Sequence, residues 1–235
     1  MKINPKKLYE ILKNEYGDPN WWPVDKKYHT QNRTDFRFEI LIGAILTQNT
    51  AWSNVEKALM NLKKQKKLDI DNILEMETKE IGELIKPSGY FNQKAKRLKE
   101  FTSYIKNNYN SNLDRFFNRD IREIRKELLS LNGIGPETAD SMILYAGNLP
   151  IFVVDAYTKR ICARIPLETK LSYNEIQKFF QKELKKEEKD TEKILKIFNE
   201  LHALIVYLAK DYCRKKPKCL KCPISKYCEY KKELF

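Results

Sequence analysis

The amino-acid sequence predicts an all-α protein. Glycine is scarce, at 7 of 235 residues, and aliphatic side chains recur at helical spacing along most of the chain. Alternation with a period of two, which marks half-buried strands, is nearly absent. Three apolar stripes show the helical spacing: Ile40, Leu41, Ala44 and Ile45; Val55, Leu59 and Leu62; and Ile194, Leu195, Phe198, Leu201, Leu204, Ile205 and Leu208. A chain of this length can bury a substantial core.

The charge balance predicts a polyanionic partner. Lysine and arginine number 45 against 32 acidic residues, a net charge of +13. This excess favours nucleic acid first and an anionic membrane surface second, although lysine runs such as residues 63–67 also fit solvated helix faces. No apolar run reaches transmembrane length, and the polar residues 1–7 lack the apolar core of a signal peptide. We therefore expect a cytoplasmic protein, associated with the nucleoid in a prokaryote, that has no membrane partner.

A glycine turn lies between two predicted helices. Gly133 and Gly135 flank Ile134, a helical pattern precedes them, and Pro136 is well placed to open the second helix. The amides of such a turn and of a helix N-terminus suit an anion such as a DNA phosphate. An ordinary tight turn between packed helices would have the same residues. Gly133, Ile134 and Gly135 are therefore candidate DNA contacts.

Asp155 stands where a third helix is predicted to begin. It follows the extended apolar run of residues 150–154 and precedes a helical pattern through Tyr157, Arg160 and Ile161. Aspartate is a common helix cap. The helix dipole also favours its ionised form, which could stabilise a developing cation. The two roles are compatible.

Four of the five cysteines lie close together near the C-terminus. Their pattern is Cys213-x5-Cys219-x2-Cys222-x5-Cys228. In a cytoplasmic chain such clustering indicates metal ligation rather than disulfides. Four thiolates suit zinc or a [4Fe-4S] cluster, and spacing alone does not choose between them. The fifth, Cys162, lies among apolar residues and is predicted to be buried.

The hairpin, Asp155 and the cysteine pattern together resemble the endonuclease III superfamily of DNA base-excision glycosylases, the helix-hairpin-helix-Gly-Pro-Asp family. The resemblance runs from about residue 20 to Cys228. It implies two helical lobes with a DNA-binding cleft between them. One lobe, residues 34–150, would carry the hairpin, and residues 1–33 plus 151–235 would form the second. It also implies a monomer that binds damaged double-stranded DNA.

The resemblance assigns roles to three sets of residues. Asp155 matches the catalytic aspartate, and the four cysteines match the ligands of a [4Fe-4S] cluster, with zinc as the alternative; the first cysteine gap is five residues, where many relatives have six. Bifunctional relatives have a lysine nucleophile two residues beyond the second hairpin glycine, where this chain has Glu137. A carboxylate forms no imine, so lyase activity is expected to be absent or weak. Glu137 either complements the helix N-terminus or accepts hydrogen bonds from a purine in the base pocket.

Further segments are similar to bacterial 3-methyladenine glycosylases. These are Trp-Trp-Pro at residues 21–23, Leu-Thr-Gln-Asn-Thr at 46–50, residues 88–95 and Gly-Ile-Gly-x-Glu at 133–137. The similarity implies a base pocket whose candidate residues are Trp22, Pro23, Trp52, Glu137 and Trp21. Indole faces can sandwich an extruded base and favour a cationic one, although plain core packing is the alternative for each tryptophan.

Residues that would enter the duplex follow from the same resemblance. Gln48 and Tyr90 match the wedge that fills the space left by a flipped nucleotide. Lys94 is a candidate phosphate contact, although a solvated helix face explains it equally well.

We therefore expect a monofunctional DNA glycosylase of base excision repair that removes alkylated purines such as 3-methyladenine by base flipping. One alternative is the same scaffold acting on uracil, mismatched thymine, hypoxanthine or an oxidised base. Another is a non-catalytic helix-hairpin-helix DNA-binding protein with a structural metal. The carboxylate of Asp155 argues against the last, because binding alone does not need it.

Overall fold

The computed structural model describes residues 3–167 and 169–232. In chain order the α-helices are α1 (Pro5–Tyr16), α2 (Lys26–Asn32), α3 (Phe36–Leu46), α4 (Trp52–Lys64), α5 (Ile70–Glu75), α6 (Thr78–Ile85), α7 (Phe91–Tyr109), α8 (Leu113–Phe117), α9 (Ile121–Ser130), α10 (Pro136–Ser141), α11 (Ala156–Cys162), α12 (Tyr173–Glu187), α13 (Thr191–Asp211) and α14 (Glu229–Lys232). Short 3₁₀ helices cover Lys86–Ser88, Cys219–Lys221 and Ser225–Tyr227, and Met142–Ala146 is a π-helix. These described ranges contain no strand, which confirms the all-α prediction.

The described chain forms two compact units. The first, here called the cysteine unit, comprises residues up to Trp21 and from Pro150 onward. The second, the hairpin unit, runs from Trp22 to Leu149. Residues 22–33, which the sequence analysis grouped with the N-terminal segment, lie in the hairpin unit.

Helix α3 is the centre of the hairpin unit. Asp35 caps it by accepting a hydrogen bond from the Arg37 backbone amide. Every residue from Phe38 to Leu46 is buried; all are apolar or glycine except Glu39, whose carboxylate is paired with His29 and Lys63. The helix packs against α4, α7 and the π-helix. The packing of α3 therefore fixes the point at which the segment that contains Gln48 begins.

Helix α13 is the centre of the cysteine unit, as α3 is of the hairpin unit. Asp190 caps it with two backbone hydrogen bonds, and its apolar face packs against α1 and α11. Nearby, the rings of Phe152 and Phe180 stack with centroids 4.6 Å apart. The members of the three apolar stripes identified in the sequence are all buried except Leu195, which is half-buried. No helix in the described residues combines the length and the apolar character that a membrane span requires.

Candidate functional site

The glycine hairpin connects α9 to α10 with two glycines in different conformations. Gly133 has a φ of +75°, a left-handed conformation, and a Cβ placed there would lie 2.6 Å from Arg97 Cδ. Gly135 caps α10 in extended backbone, and a Cβ there would meet nothing within 4 Å. Ile134 is buried between them, and its amide donates to the Leu131 carbonyl. The first glycine is thus required by the turn itself, whereas Gly135 leaves open space at the start of α10.

The side-chain amide of Gln48 is hydrogen-bonded at both its nitrogen, which binds this hairpin, and its oxygen, which binds α7. Its Nε2 donates to the Gly133 carbonyl at 2.8 Å and to Thr138 Oγ1 at 2.9 Å. Its Oε1 accepts from an Arg97 guanidinium nitrogen at 2.7 Å. Gln48, predicted to act as a wedge in DNA, braces the hairpin in this structure. It would have to break these bonds before it could enter a duplex.

Tyr90 is the exposed aromatic residue of this region. It directly precedes α7, has a left-handed φ of +46°, and leaves 66% of its surface exposed. A non-glycine residue in this conformation is uncommon and points to a constrained local geometry.

Lys94 is not placed to contact phosphate, and the prediction for this residue is wrong for the structure described. Its side chain is 1% exposed. Its Nζ donates to the Leu46 carbonyl at 2.8 Å and to the Ser88 carbonyl at 2.7 Å. Burial, with a smaller effect of the Arg97 charge, lowers the pKa of Lys94 to about 8. The charge and the long aliphatic chain of a lysine are typical of a solvated helix face, but hydrogen bonds to two backbone carbonyls hold the Lys94 ammonium in the interior.

Trp22 and Trp52 meet in an aromatic group that also includes Tyr145. The Trp22 and Trp52 centroids are 5.0 Å apart with planes at 89°, and Tyr145 lies 5.1 Å from Trp22. Gly43 makes room for the group, because a Cβ there would lie 3.3 Å from Trp22 Cζ2. The indoles contact each other edge to face, so a base cannot lie between their planes without a rearrangement. Neither Tyr145 nor Gly43 was predicted to belong to the site; a glycine within the apolar stretch of residues 40–46 was the available signal.

The remaining candidates for a base pocket have different surroundings. Pro23 is exposed and Trp21 is half-buried, the latter in the cysteine unit. Glu137 is exposed in the first turn of α10, where a carboxylate complements the positive end of the helix dipole. Among the five pocket candidates, Trp22 and Trp52 are a pair whose rings lie in contact.

Asp155 caps α11 with a buried carboxylate. Its Oδ1 accepts from the Thr158 amide at 2.6 Å and from the Thr158 hydroxyl at 2.8 Å. Its Oδ2 lies 3.6 Å from His202 Nε2, on α13. Burial alone would raise the pKa of Asp155, but His202 and Thr158 hold it below the ordinary value of 3.8. Asp155 is therefore an anion at neutral pH. The Asp-x-x-Thr spacing is a local sign of the cap, whereas no local signal points to His202.

The four clustered cysteines line one concave space. Its volume is about 380 Å³, including open solvent, and Arg164 and Tyr230 also line it. An Arg164 guanidinium nitrogen lies 3.1 Å from Cys213 Sγ. Burial raises the pKa of Cys222 to about 11, and the other three thiols add to the shift. Cys162 lies outside this group and is buried, as predicted.

This donor set fits an iron–sulfur cluster. All four sulfurs are soft ligands that iron and zinc both accept. Among the described residues no three histidine, cysteine or acidic side chains are grouped closely enough to hold a single metal ion. The guanidinium at Cys213 would offset part of the negative charge of thiolates bound to either metal group.

Comparison with known proteins places these features in a family. Residues 42–186 match the model of the HhH-GPD superfamily of base excision DNA repair proteins. A protein of Methanocaldococcus jannaschii named "Putative DNA repair glycosylase" is 45% identical over 224 residues, 94% of each chain. The crystal structure of the H. pylori 3-methyladenine DNA glycosylase bound to 1,N6-ethenoadenine is 28% identical with a TM-score of 0.71, covering 88% of this chain and 98% of that one.

A second solved structure is similar over nearly the whole length. A thermostable thymine-DNA glycosylase is 25% identical with a TM-score of 0.67, and the match covers 97% of both chains. The family match covers more than half of the sequence and includes the hairpin and Asp155. On these grounds the chain belongs to the HhH-GPD superfamily of base excision DNA repair proteins.

Proposed function

We propose that the protein is a monofunctional DNA glycosylase that releases alkylated purines from double-stranded DNA. The observation that carries the proposal is the buried carboxylate of Asp155, held ionised at the start of α11 by Thr158 and His202. The similarity to a 3-methyladenine glycosylase supports the substrate class. The net charge of +13 suits DNA, and we propose that the protein acts as a monomer.

The ionised state of Asp155 favours a particular kind of leaving group. When the glycosidic bond breaks, its electron pair leaves with the base and the sugar gains oxocarbenium character. An anion beside the sugar stabilises that charge, and water then adds to C1′ and releases a proton. Asp155 in its ionised form has no proton to donate to a departing base. A purine made cationic by alkylation needs none, because it leaves as a neutral molecule.

The hairpin unit would supply binding and base flipping. The open space at Gly135 admits a phosphate to the start of α10. Tyr90, and Gln48 once released from the hairpin, would occupy the gap left by the flipped nucleotide. Trp22 and Trp52, with Pro23 and Glu137, remain the proposed pocket residues of this unit. Since the two indoles touch in this structure, the pocket would open when the base enters, and electron-rich rings favour a cation.

Lyase activity is expected to be absent or weak because Glu137 occupies the position at which bifunctional relatives are expected to have lysine. A carboxylate cannot form the imine with the sugar that strand cleavage requires. Borohydride reduction should therefore trap no covalent protein–DNA adduct. Efficient trapping would contradict the monofunctional assignment and would require another amine.

Cys213, Cys219, Cys222 and Cys228 would hold a [4Fe-4S] cluster. Such a cluster cross-links its loop and is able to carry one electron. Arg164, which contacts Cys213, would stabilise the ligated thiolate. Purified protein should be brown and contain iron, whereas a colourless protein with stoichiometric zinc would overturn this assignment.

The decisive experiment is chromatographic measurement of free bases released from methylated DNA by the native chain and by Asp155→Asn. We expect methylpurines from the native chain alone. Release of methylpurines at an equal rate by both would refute the role of Asp155. Release by neither, with duplex binding intact, would refute the alkylpurine assignment.

Thymine mismatched with guanine is the second candidate substrate. The similarity to a thymine-DNA glycosylase over 97% of the chain favours it. A duplex with a single G·T pair in the same assay separates the two candidates. Thymine is neutral, so its release should depend less on the indoles of Trp22 and Trp52 than the release of a methylpurine.

A further inference from the structure

One buried ammonium connects the two loops that carry the proposed duplex-entering residues. Lys94 Nζ donates to the carbonyl of Leu46, the last residue of α3, and to that of Ser88, the last residue of a 3₁₀ helix. Gln48 lies two residues beyond Leu46, and Tyr90 lies two residues beyond Ser88. The same side chain thus holds both loops at equivalent points.

The chemistry of this contact is favourable on both sides. The last carbonyls of a helix have no partner within the helix and carry partial negative charge. An ammonium satisfies them with charge-assisted hydrogen bonds, which are stronger than neutral ones. The Lys94 backbone amide also donates to the Tyr90 carbonyl at 3.0 Å, so Lys94 contacts the Tyr90 segment through both main chain and side chain.

Burying the ammonium of Lys94 costs free energy that an apolar side chain at this position would not cost. A charged group that is 1% exposed loses its hydration, and an apolar side chain of similar volume would fill the same space without that cost. What the apolar side chain could not do is hold two helix ends together at a set distance. Since Tyr90 is exposed in a left-handed conformation immediately beside this contact, the ammonium holds a strained segment in place.

We propose that Lys94 is a positioning residue for DNA insertion: it fixes the loops of Gln48 and Tyr90 so that both reach the same gap in a duplex. The inference rests on the proposed function, because it assumes that these residues enter DNA. Lys94 itself touches no DNA in this proposal. Its removal should therefore weaken recognition of a gap rather than general affinity for DNA.

The test compares binding to two duplexes of one sequence, one intact and one with a tetrahydrofuran abasic analogue at its centre. The analogue offers a gap without the cost of unstacking a base, and it requires no knowledge of the natural lesion. We expect the native chain to prefer the tetrahydrofuran duplex. In Lys94→Met this preference should fall about tenfold, the order of one or two charge-assisted hydrogen bonds, with binding to the intact duplex unchanged.

A double-mutant cycle with Tyr90→Ala separates positioning from general stability. Because the two residues act on one event, Lys94→Met should cost little further preference in the Tyr90→Ala background. Lys99→Met is the matched control: Lys99 lies on the same helix and its Nζ also donates to a carbonyl, that of Leu74, at 2.8 Å. It should leave the preference intact. If Lys94→Met fails to fold, Lys94→Gln, which keeps a donor without the charge, replaces it.

Two outcomes distinguish the inference from the proposed function. If Tyr90→Ala abolishes the preference and the Lys94 variant keeps it, the positioning role is wrong while insertion stands. If the native chain shows no preference for the tetrahydrofuran duplex, insertion itself fails, and with it the flipping step of the proposed function. A loss in Lys99→Met equal to that in Lys94→Met would also overturn the inference, because it would reflect α7 in general.

Discussion

Asp155 and Gln48 are both polar side chains held by several contacts, but the contacts come from different distances along the chain. Both hydrogen bonds to Asp155 Oδ1 come from Thr158, three residues away. The partners of Gln48 Nε2 are 85 and 90 residues away, and Arg97 is 49 residues away. The hydrogen bonds to Asp155 Oδ1 therefore come from a single helix start, whereas the hairpin depends on the packing of α3, α7 and α10. We expect a change at Asp155 to separate chemistry from stability, and a change at Gly133, where the hairpin meets Arg97, to alter both stability and binding.

The largest expected effect is on the chemistry at Asp155. Asn caps a helix as well as Asp, and its Oδ1 can accept the same bonds from Thr158, so Asp155→Asn should keep the fold. Loss of the anion should slow base release from methylated DNA by a factor on the order of 10²–10³, the usual cost of removing one group that stabilises charge in a transition state. Single-turnover rates and thermal unfolding of the same samples measure the two effects.

Asp190→Asn is the control for this substitution. Asp190 also caps a helix of the cysteine unit, by bonds to two backbone amides, and no role in chemistry is proposed for it. Its variant should retain the native rate. A comparable loss of rate in both variants would mean that capping, rather than the charge of Asp155, accounts for the effect.

A smaller effect is expected at the hairpin, where the two glycines provide a matched pair. Gly133→Ala places a side chain in a left-handed conformation, at a cost of about 1–2 kcal/mol, and forces Arg97 away from its position above the turn. Its unfolding temperature and its affinity for an intact duplex should therefore fall together. Gly135→Ala meets no atom within 4 Å and needs no unusual φ.

Gly135→Ala should thus unfold close to the native temperature but bind an intact duplex more weakly, because the added methyl group projects toward the proposed phosphate. Equal unfolding temperatures for the two variants would show that the turn tolerates a side chain at position 133 and that Arg97 can move without a loss of stability. Native affinity in Gly135→Ala would place the phosphate elsewhere.

The separation along the chain between contacting residues also explains which features could be predicted from sequence. The helical class, the buried stripes and the cap at Asp155 follow from patterns within a few residues, and the structure has all three. Lys94 could not be predicted in this way, because a lysine on a helix that also carries Gln93 and Lys96 looks solvated. Only the carbonyls of Leu46 and Ser88, brought together by folding, account for its burial.

Tyr145 escaped prediction for a related reason. It lies on a π-helix, a rare element that often marks functional sites and has no simple sequence period, and its contact with Trp22 joins the two ends of the hairpin unit. Residue roles that came from family resemblance, such as the pocket of Trp22 and Trp52, remain predictions. What the structure adds to them is that the two indoles are neighbours.

The smallest expected effect tests the contact of Asp155 with His202. His202 lies 47 residues from Asp155 in the chain and 3.6 Å from it in space, and it helps to hold the pKa of Asp155 below its usual value. In His202→Gln that influence is lost while burial remains, so the pKa of Asp155 should rise. At neutral pH Asp155 is ionised in both proteins, and base release should change little. As the pH falls, the variant should lose activity at a higher pH than the native chain, with a difference of at most about tenfold for each unit of pKa.

Single-turnover rates between pH 4 and 7, corrected for spontaneous base loss, measure this loss of activity. His29→Gln, at the chain's other histidine, is the control. Superimposable acid limbs for the native chain and His202→Gln would mean that Thr158 alone keeps Asp155 ionised, which would make the positioning of the catalytic carboxylate entirely local.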